Sequence, residues 1–185
     1  MPVKAPKIHV SAPTGVIPSG RGFYQLEEEE LYLAVEYPGE RPSFFSYLES
    51  DTLSFHLDRE GRLIFIELLL PRRRWLVKEN LIIPERAESA DLRFLDFRSP
   101  FERPVVFCDR TRQNLMIRFS RGPAVNNYFL AQNLIAQLNT SYRLVALWVS
   151  DIVDDVAGRE IYSWRKEVHG EPVAWPPHLA RSIKM

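Results

Sequence analysis

His56 and Glu67 are the residue types in this chain best suited to acid–base chemistry, an imidazole that titrates near neutrality and a carboxylate able to orient it or to share a metal with it. They sit in two apolar runs, Leu53 to Leu57 and Leu63 to Leu69, joined by the turn Asp58-Arg59-Glu60-Gly61-Arg62. If the runs pair as a hairpin, Ser54, His56 and Glu67 share the face opposite Leu53, Phe55, Leu57, Ile64, Ile66 and Leu68. A proton relay, a pair of metal ligands and a simple polar cross-strand pair are the readings open to them, and the last is preferred. Arg59 and Arg62 in the turn are then the anion contacts of any small-molecule or metal-dependent site.

Other candidates are weaker. Arg72, Arg73 and Arg74 form a local basic run able to contact phosphates, but three adjacent side chains on an extended segment splay to opposite faces, and Glu79, Glu85 and Glu88 follow closely. Asp151, Asp154 and Asp155 lack the alternating ligand positions and the later bidentate glutamate of a calcium loop, and read as a solvated turn. Cys108, in VVFCDR, reads as a half-buried strand thiol, although Arg110 and Arg112 are electropositive neighbours for a reactive one. His9, His169 and His178 lie far apart in flanking segments. No glycine-rich phosphate loop, G-x-S-x-G or paired HxxxH is present, so neither a metal nor a cofactor is implied.

The elements that must hold these residues are strands. The chain has 185 residues, enough for one ordinary domain or two small halves sharing a core. Its 45% hydrophobic and 12% aromatic content supports a packed interior. Basic and acidic residues number 24 each, so no global field draws in nucleic acid or an anionic membrane. One cysteine excludes an intramolecular disulfide and a cysteine-based zinc site. Without a run of about eighteen apolar residues or a signal-peptide core, a cytoplasmic location with no membrane association is expected.

Residues 1–22, rich in proline and glycine, read as an extended N-terminal arm, with Ile8 to Val10 either a solvated tail or an addition to a sheet edge. The first β unit is expected over 23–83. It begins with a strand in which Leu31, Leu33 and Val35 alternate with Tyr32, Ala34 and Glu36, after an acidic run, Glu27 to Glu30, read as a solvated turn. A short strand at Phe44 to Leu48, the central hairpin, and apolar pairs at Trp75 to Val77 and Leu81 to Ile83 complete it. Residues 84–106 are a connector with strands at Leu92 to Phe97 and Val105 to Cys108, and the second β unit follows over 107–167, including Leu115 to Phe119. REIYSWRKEVHG reads as a last strand, and 168–185 as a C-terminal arm whose Trp175-Pro176-Pro177 either docks on a partner subunit or packs on its own domain.

Leu130, Leu134 and Leu138 fit a helix, whereas Leu134, Ala136 and Leu138 fit a strand. An internal repeat chooses the strand. A shift of 81 positions carries Leu53, Leu57, Arg62 and Leu63 onto Leu134, Leu138, Arg143 and Leu144, and Ile64, Ile66 and Leu68 onto Val145, Leu147 and Val149. A shift of 84 carries Phe23, Leu31, Leu33 and Val35 onto Phe107, Leu115, Ile117 and Phe119. Phe55 and Phe65 become Ala136 and Ala146, so large residues can pack against small ones across a shared interface. His56 and Glu67 become Gln137 and Trp148, so only one copy keeps the pair.

FYQLEEEELYLAV followed by LDREGRLIFIELL resembles the small bacterial domains of unknown function grouped as DUF2283, through Tyr24, Glu30, Leu31, Tyr32, Leu33, Gly61, Leu63, Ile66, Glu67, Leu68 and Leu69. Glu30 stands where that family usually has Asp, and Phe65 where it commonly has Gly. The second unit departs further, with Tyr142 opposite Gly61 and Trp148 opposite Glu67. The resemblance covers about fifty residues and implies a small β-rich module without assigning an activity.

The expected architecture is mainly β: two related antiparallel β-meander units packed as one sandwich-like or barrel-like domain with extended termini. The expected role is a non-enzymatic binding or protein-interaction module that self-associates through exposed edges. The alternative is an enzyme using His56 and Glu67, and a third reading is nucleic-acid contact through Arg72, Arg73 and Arg74.

Overall fold

Short apolar alternations broken by turn residues fold here as a mainly β protein. The computed structural model describes residues 5–163. The first half contributes β1 (Ile8–Ser11), β2 (Ser19–Gln25), β3 (Glu30–Glu36), β4 (Ser46–Glu49), β5 (Leu53–Leu57) and β6 (Leu63–Leu68). A 3-10 turn at Arg72–Arg74 leads to β7 (Leu76–Val77), and β8 (Glu88–Ser89) and β9 (Asp91–Phe94) occupy the middle of the chain. The second half contributes β10 (Val105–Cys108), β11 (Leu115–Arg118), β12 (Asn126–Ala131), β13 (Leu134–Leu138), β14 (Leu144–Val149) and β15 (Val153–Asp155).

One sheet has the order β15-β2-β3-β6-β5-β4 and the other β7-β10-β11-β14-β13-β12-β8, while β1 and β9 form a separate ribbon; none of these sheets closes on itself. Within the two large sheets, β2-β3-β6-β5-β4 and β10-β11-β14-β13-β12 follow the same relative order. Beyond them the halves exchange strands: β7 runs parallel to β10, and β15 runs parallel to β2. The inner faces supply one continuous core, including Leu33, Phe55, Ile66 and Leu68 from one sheet and Ile117, Ala136, Leu147 and Val149 from the other. Each leucine-sized side chain buried there contributes about 1.5–3 kcal/mol. Phe55 and Ala136 both belong to that core, whereas Phe65 and Ala146 lie in separate clusters on the outer faces and do not meet across it.

The central hairpin forms as its pattern predicts, with one correction. Leu53 faces Leu68, Phe55 faces Ile66 and His56 faces Phe65, but Leu57 then faces Leu63, because Ile64 is an extra residue in a bulge. Leu63 therefore takes the inward place expected for Ile64, and Ile64 joins Phe65, Phe23, Tyr32 and Ala34 on the outer face. A strict period of two does not see a bulge. The second hairpin has the corresponding shift, Gln137 facing Ala146 and Leu138 facing Leu144. Leu134 to Leu138 is a strand.

The turns closing the two hairpins share one design. Asp58 Oδ1 accepts the Glu60 and Arg62 amides at 2.9 and 2.8 Å, and Asn139 Oδ1 accepts the Ser141 and Arg143 amides at 2.9 and 3.0 Å. Gly61 and Tyr142 hold the left-handed position, with φ of 83° and 58°. A third turn joins β10 to β11. There Asp109 accepts from the Thr111 hydroxyl at 3.0 Å, the Gln113 amide at 3.1 Å and the Asn114 side-chain amide at 2.7 Å. Partial burial pushes its carboxyl up, but these donors outweigh it and hold Asp109 below the usual aspartate range. A depressed folded-state value contributes stability above the unfolded pKa that is lost as pH falls through the folded one. Urea midpoints measured between roughly pH 5 and pH 2 should therefore fall less steeply in Asp109→Asn than in the parent.

Several boundaries differ from expectation. Ile8, expected in a solvated tail, is 1% exposed: β1 pairs antiparallel with β9, and the Ile8 amide donates to Tyr142 O at 2.9 Å. The arm also ends earlier than residue 22, since β2 begins at Ser19. Leu81 to Ile83 is not a strand; Leu81 and Ile83 lie against the outer-face cluster of Met116, Ile135, Ala146 and Trp148. The strand at Leu92 stops at Phe94. The expected last strand begins instead with helical residues 159–163, because buried Asp155 accepts the Glu160 and Ile161 amides at 2.9 and 3.2 Å and so caps a helix start. His169, His178, Trp175, Pro176 and Pro177 lie outside the described residues.

Candidate functional site

The hairpin register brings His56 and Glu67 together. Their nearest atoms, Nε2 and Oε2, are 3.7 Å apart, and Glu67 faces Ser54 on β5 and Tyr32 on β3. Both are sealed from solvent, with His56 2% and Glu67 0% exposed. The rings of Phe44 and Phe65 stand 5.5 Å from the imidazole. A carboxylate and an imidazole so enclosed can exchange a proton or share a charge, yet a solvent-borne substrate does not reach them.

The acidic run is more than a solvated turn. The Tyr32 hydroxyl contacts the carboxylates of both Glu28 and Glu30, and Glu29 pairs with Arg73; only Glu27 is fully exposed. Burial, then the charge of Glu30 and the hydrogen bonds to both glutamates, pushes the phenol far above its ordinary value. It stays a neutral donor.

The arginine run is a brace. Arg72 lies 4.1 Å over the Tyr24 ring and pairs with Asp154 of β15, tying the 3-10 turn to the strand contributed by the other half. Arg73 is held by Glu29, and Arg74 is exposed. Asp154 and Asp155 are thus an ion-pair partner and a helix cap, and no group of three metal-ligating side chains occurs among the described residues. Cys108 is fully buried, and burial pushes its thiol up, away from nucleophilic character.

An open cleft of about 330 Å³ lies elsewhere, between the strap 13–18, the segment after Tyr37, the Arg62 turn, Ser89 to Arg93, and the Phe129-Leu130 end of β12. The Asp58 turn aims Arg62 into it: Arg62 Nε binds Asp58 at 2.7 Å, its guanidinium also pairs with Glu40, and it stands 5.1 Å over the Tyr37 ring. Beside it Arg93 binds Asp91 at 2.9 Å and Glu60 at 2.7 Å. Burial opposes charge on both guanidiniums, but their carboxylate partners prevail and raise both above the usual arginine value. The Tyr37 hydroxyl donates to Leu63 O at 2.8 Å, and burial pushes its phenol up against the opposing charge of Arg62. The lining carries two carboxylates, Glu40 and Asp91, and two guanidiniums, Arg62 and Arg93, so its charges balance, while Asp58 and Glu60 hold the arginines from outside it. Ile17, Leu92 and Leu130 supply an apolar lining.

Of the predicted site residues, only Arg62 lines this cleft; Arg59 instead stacks 5.4 Å over the Phe45 ring. Tyr37, Glu40, Asp91 and Arg93 are not legible as a group, since five separate segments meet there. The usable signal was the Asp-x-x-x-Arg turn, which aims an arginine by its own backbone hydrogen bonds. No helix among the described residues is long and apolar enough to cross a membrane. No protein-family model matches the chain, and no curated protein matches it.

Proposed function

We propose that the protein is a non-enzymatic binding module built from two related β-meander units, with its ligand site in the charge-lined cleft beside Arg62. The carrying observation is the contrast between that cleft, open and lined by charged and apolar side chains, and the sealed His56–Glu67 pair. The matching strand orders and the paired turns at Asp58 and Asn139 support the two-unit reading, and the DUF2283 resemblance of the first unit is kept within it. The enzymatic alternative needs substrate access to His56 and Glu67, and their burial weighs against it. The ion pairs of Arg72 and Arg73 weigh against phosphate contact.

Titration with N-acetyl-arginine amide, followed by methyl NMR, tests the site. Saturable shifts are expected at Ile17, Leu92 and Leu130, weakened about two- to five-fold for Glu40→Gln, as removal of a single exposed ion pair would do. No saturable shift by roughly 50 mM, where even about 2 kcal/mol of binding registers, sinks the cleft as a ligand site. Self-association is the second reading, favoured by Leu76 and Val77, each 52% exposed on edge strand β7. Light scattering that gives the monomer mass at every concentration removes it.

A further inference from the structure

The two halves treat one location differently. In one, the connector between β9 and β10 lies along the outer edge of β4: the Arg98 amide donates to Tyr47 O at 3.0 Å, the Phe101 amide to Glu49 O at 3.2 Å, and Pro100 bridges Glu49 in parallel. Phe101 is 4% exposed, its ring 5.6 Å from Phe55 and 5.8 Å from Phe119. An extended segment thus covers a strand edge and drives an aromatic anchor into the core.

The repeat carries this location onto the cleft. At a shift of 84, Phe101 and Phe119 fall on Ile17 and Val35; at a shift of 81, Phe55, Leu48 and Glu49 fall on Ala136, Phe129 and Leu130. Three phenyl rings are replaced by isoleucine, valine and alanine, and Ile17, Phe129 and Leu130 line the cleft. The counterpart connector, residues 12–18, is anchored through Pro18 O, which accepts the Gln132 amide at 2.8 Å, but it brings no ring inward. Strand β8 covers only Tyr128 and Phe129 of the β12 edge. The opening beyond is what remains where the counterpart connector is present but places Ile17 where the other half places a phenyl ring.

We infer that the cleft binds an extended peptide carrying an aromatic anchor, with a basic residue about three positions before it, the chemistry the chain itself supplies at Arg98 and Phe101. The aromatic side chain enters the apolar lining of Ile17, Leu92 and Leu130, and the basic one shares the Glu40 and Asp91 carboxylates with Arg62 and Arg93 at the mouth. The volume, about 330 Å³, is at the small end of ligand sites and suits one anchor residue with its neighbours. This inference rests on the two-unit binding-module reading above.

The probe is a fluorescein-labelled synthetic peptide of residues 96–103, DFRSPFER, titrated into the full chain and followed by anisotropy and methyl NMR. Saturable binding with shifts at Ile17, Leu92 and Leu130 is expected. The peptide with its phenylalanine at position 101 replaced by alanine should bind at least ten-fold more weakly. Ile17→Trp, which fills the cleft, should abolish binding with the melting temperature retained; if that variant does not fold, the exposed Glu40→Lys should weaken binding at least three-fold. Equal binding of the alanine peptide, or methyl shifts at Leu48 and Leu57, which would mean exchange with the chain's own connector, overturns the inference. Saturation by arginine amide with no binding of the peptide leaves the binding module standing and removes the peptide as its ligand.

Discussion

Gly61→Ala is expected to lower stability by about 2–4 kcal/mol, read as a shift in the urea midpoint with an unchanged slope. Two costs combine. Gly61 has φ of 83°, where a β-carbon is disfavoured by about 1–2 kcal/mol. The added carbon would also collide with Phe94 O and come within 3.2 Å of Phe94 N, at the place where the Phe94 amide donates to Gly61 O at 2.8 Å. Backbone cannot yield as a flexible side chain does, so that hydrogen bond goes, along with part of the seating of Phe94 in the core. Tyr142 is the internal control: its φ of 58° shows that the turn itself tolerates a side chain. The close pass of β9 is what excludes one at Gly61. A loss under about 0.5 kcal/mol would mean that the pass relaxes freely.

Phe101→Ala is expected to cost about 3–5 kcal/mol, the range for deleting a buried phenyl ring. Phe55, Phe101 and Phe119 contact one another, so removal leaves two rings facing a void, and the connector loses the anchor that holds it on β4. For a chain of this length the melting temperature should fall by roughly 6–20 °C, measured by calorimetry. An apolar void of this kind takes up small aromatic molecules, so benzene should restore part of the loss in the variant and leave the parent unchanged. A variant as stable as the parent, or one indifferent to benzene, would contradict a packed aromatic site.

How far such features could be read from sequence depended on the distance over which they are determined. Leu53 to Leu69 declares its hairpin locally, through alternation and Gly61, and the His56–Glu67 contact follows from the same register. The helix-or-strand ambiguity at Leu134 to Leu138 yielded to the spacing of the earlier hairpin, which is non-local information carried by the chain itself. Ile64 escaped because a bulge inserts one residue without changing composition, and the face reverses on one side of it. Ile8 escaped because a proline-rich segment looks solvated until its partner, β9, is known. The burial of His56 and Glu67 was equally hidden: alternation marks a face as opposite the core, and says nothing about whether a further layer covers it. The cleft needed five segments at once, and only Arg62 had a local geometry that pointed into it.

The exchanged strands β7 and β15 have a consequence for synthesis on the ribosome. The first half leaves the exit tunnel with all of β2 to β6 available, but the outer edge of β2 gains its partner only when Val153 to Asp155 have been translated. Until then that edge is a template for pairing with other nascent chains. Completion of the first sheet is therefore tied to translation of the second, and a truncated translation product that stops before β15 leaves the ribosome as an aggregation hazard rather than as a smaller folded protein.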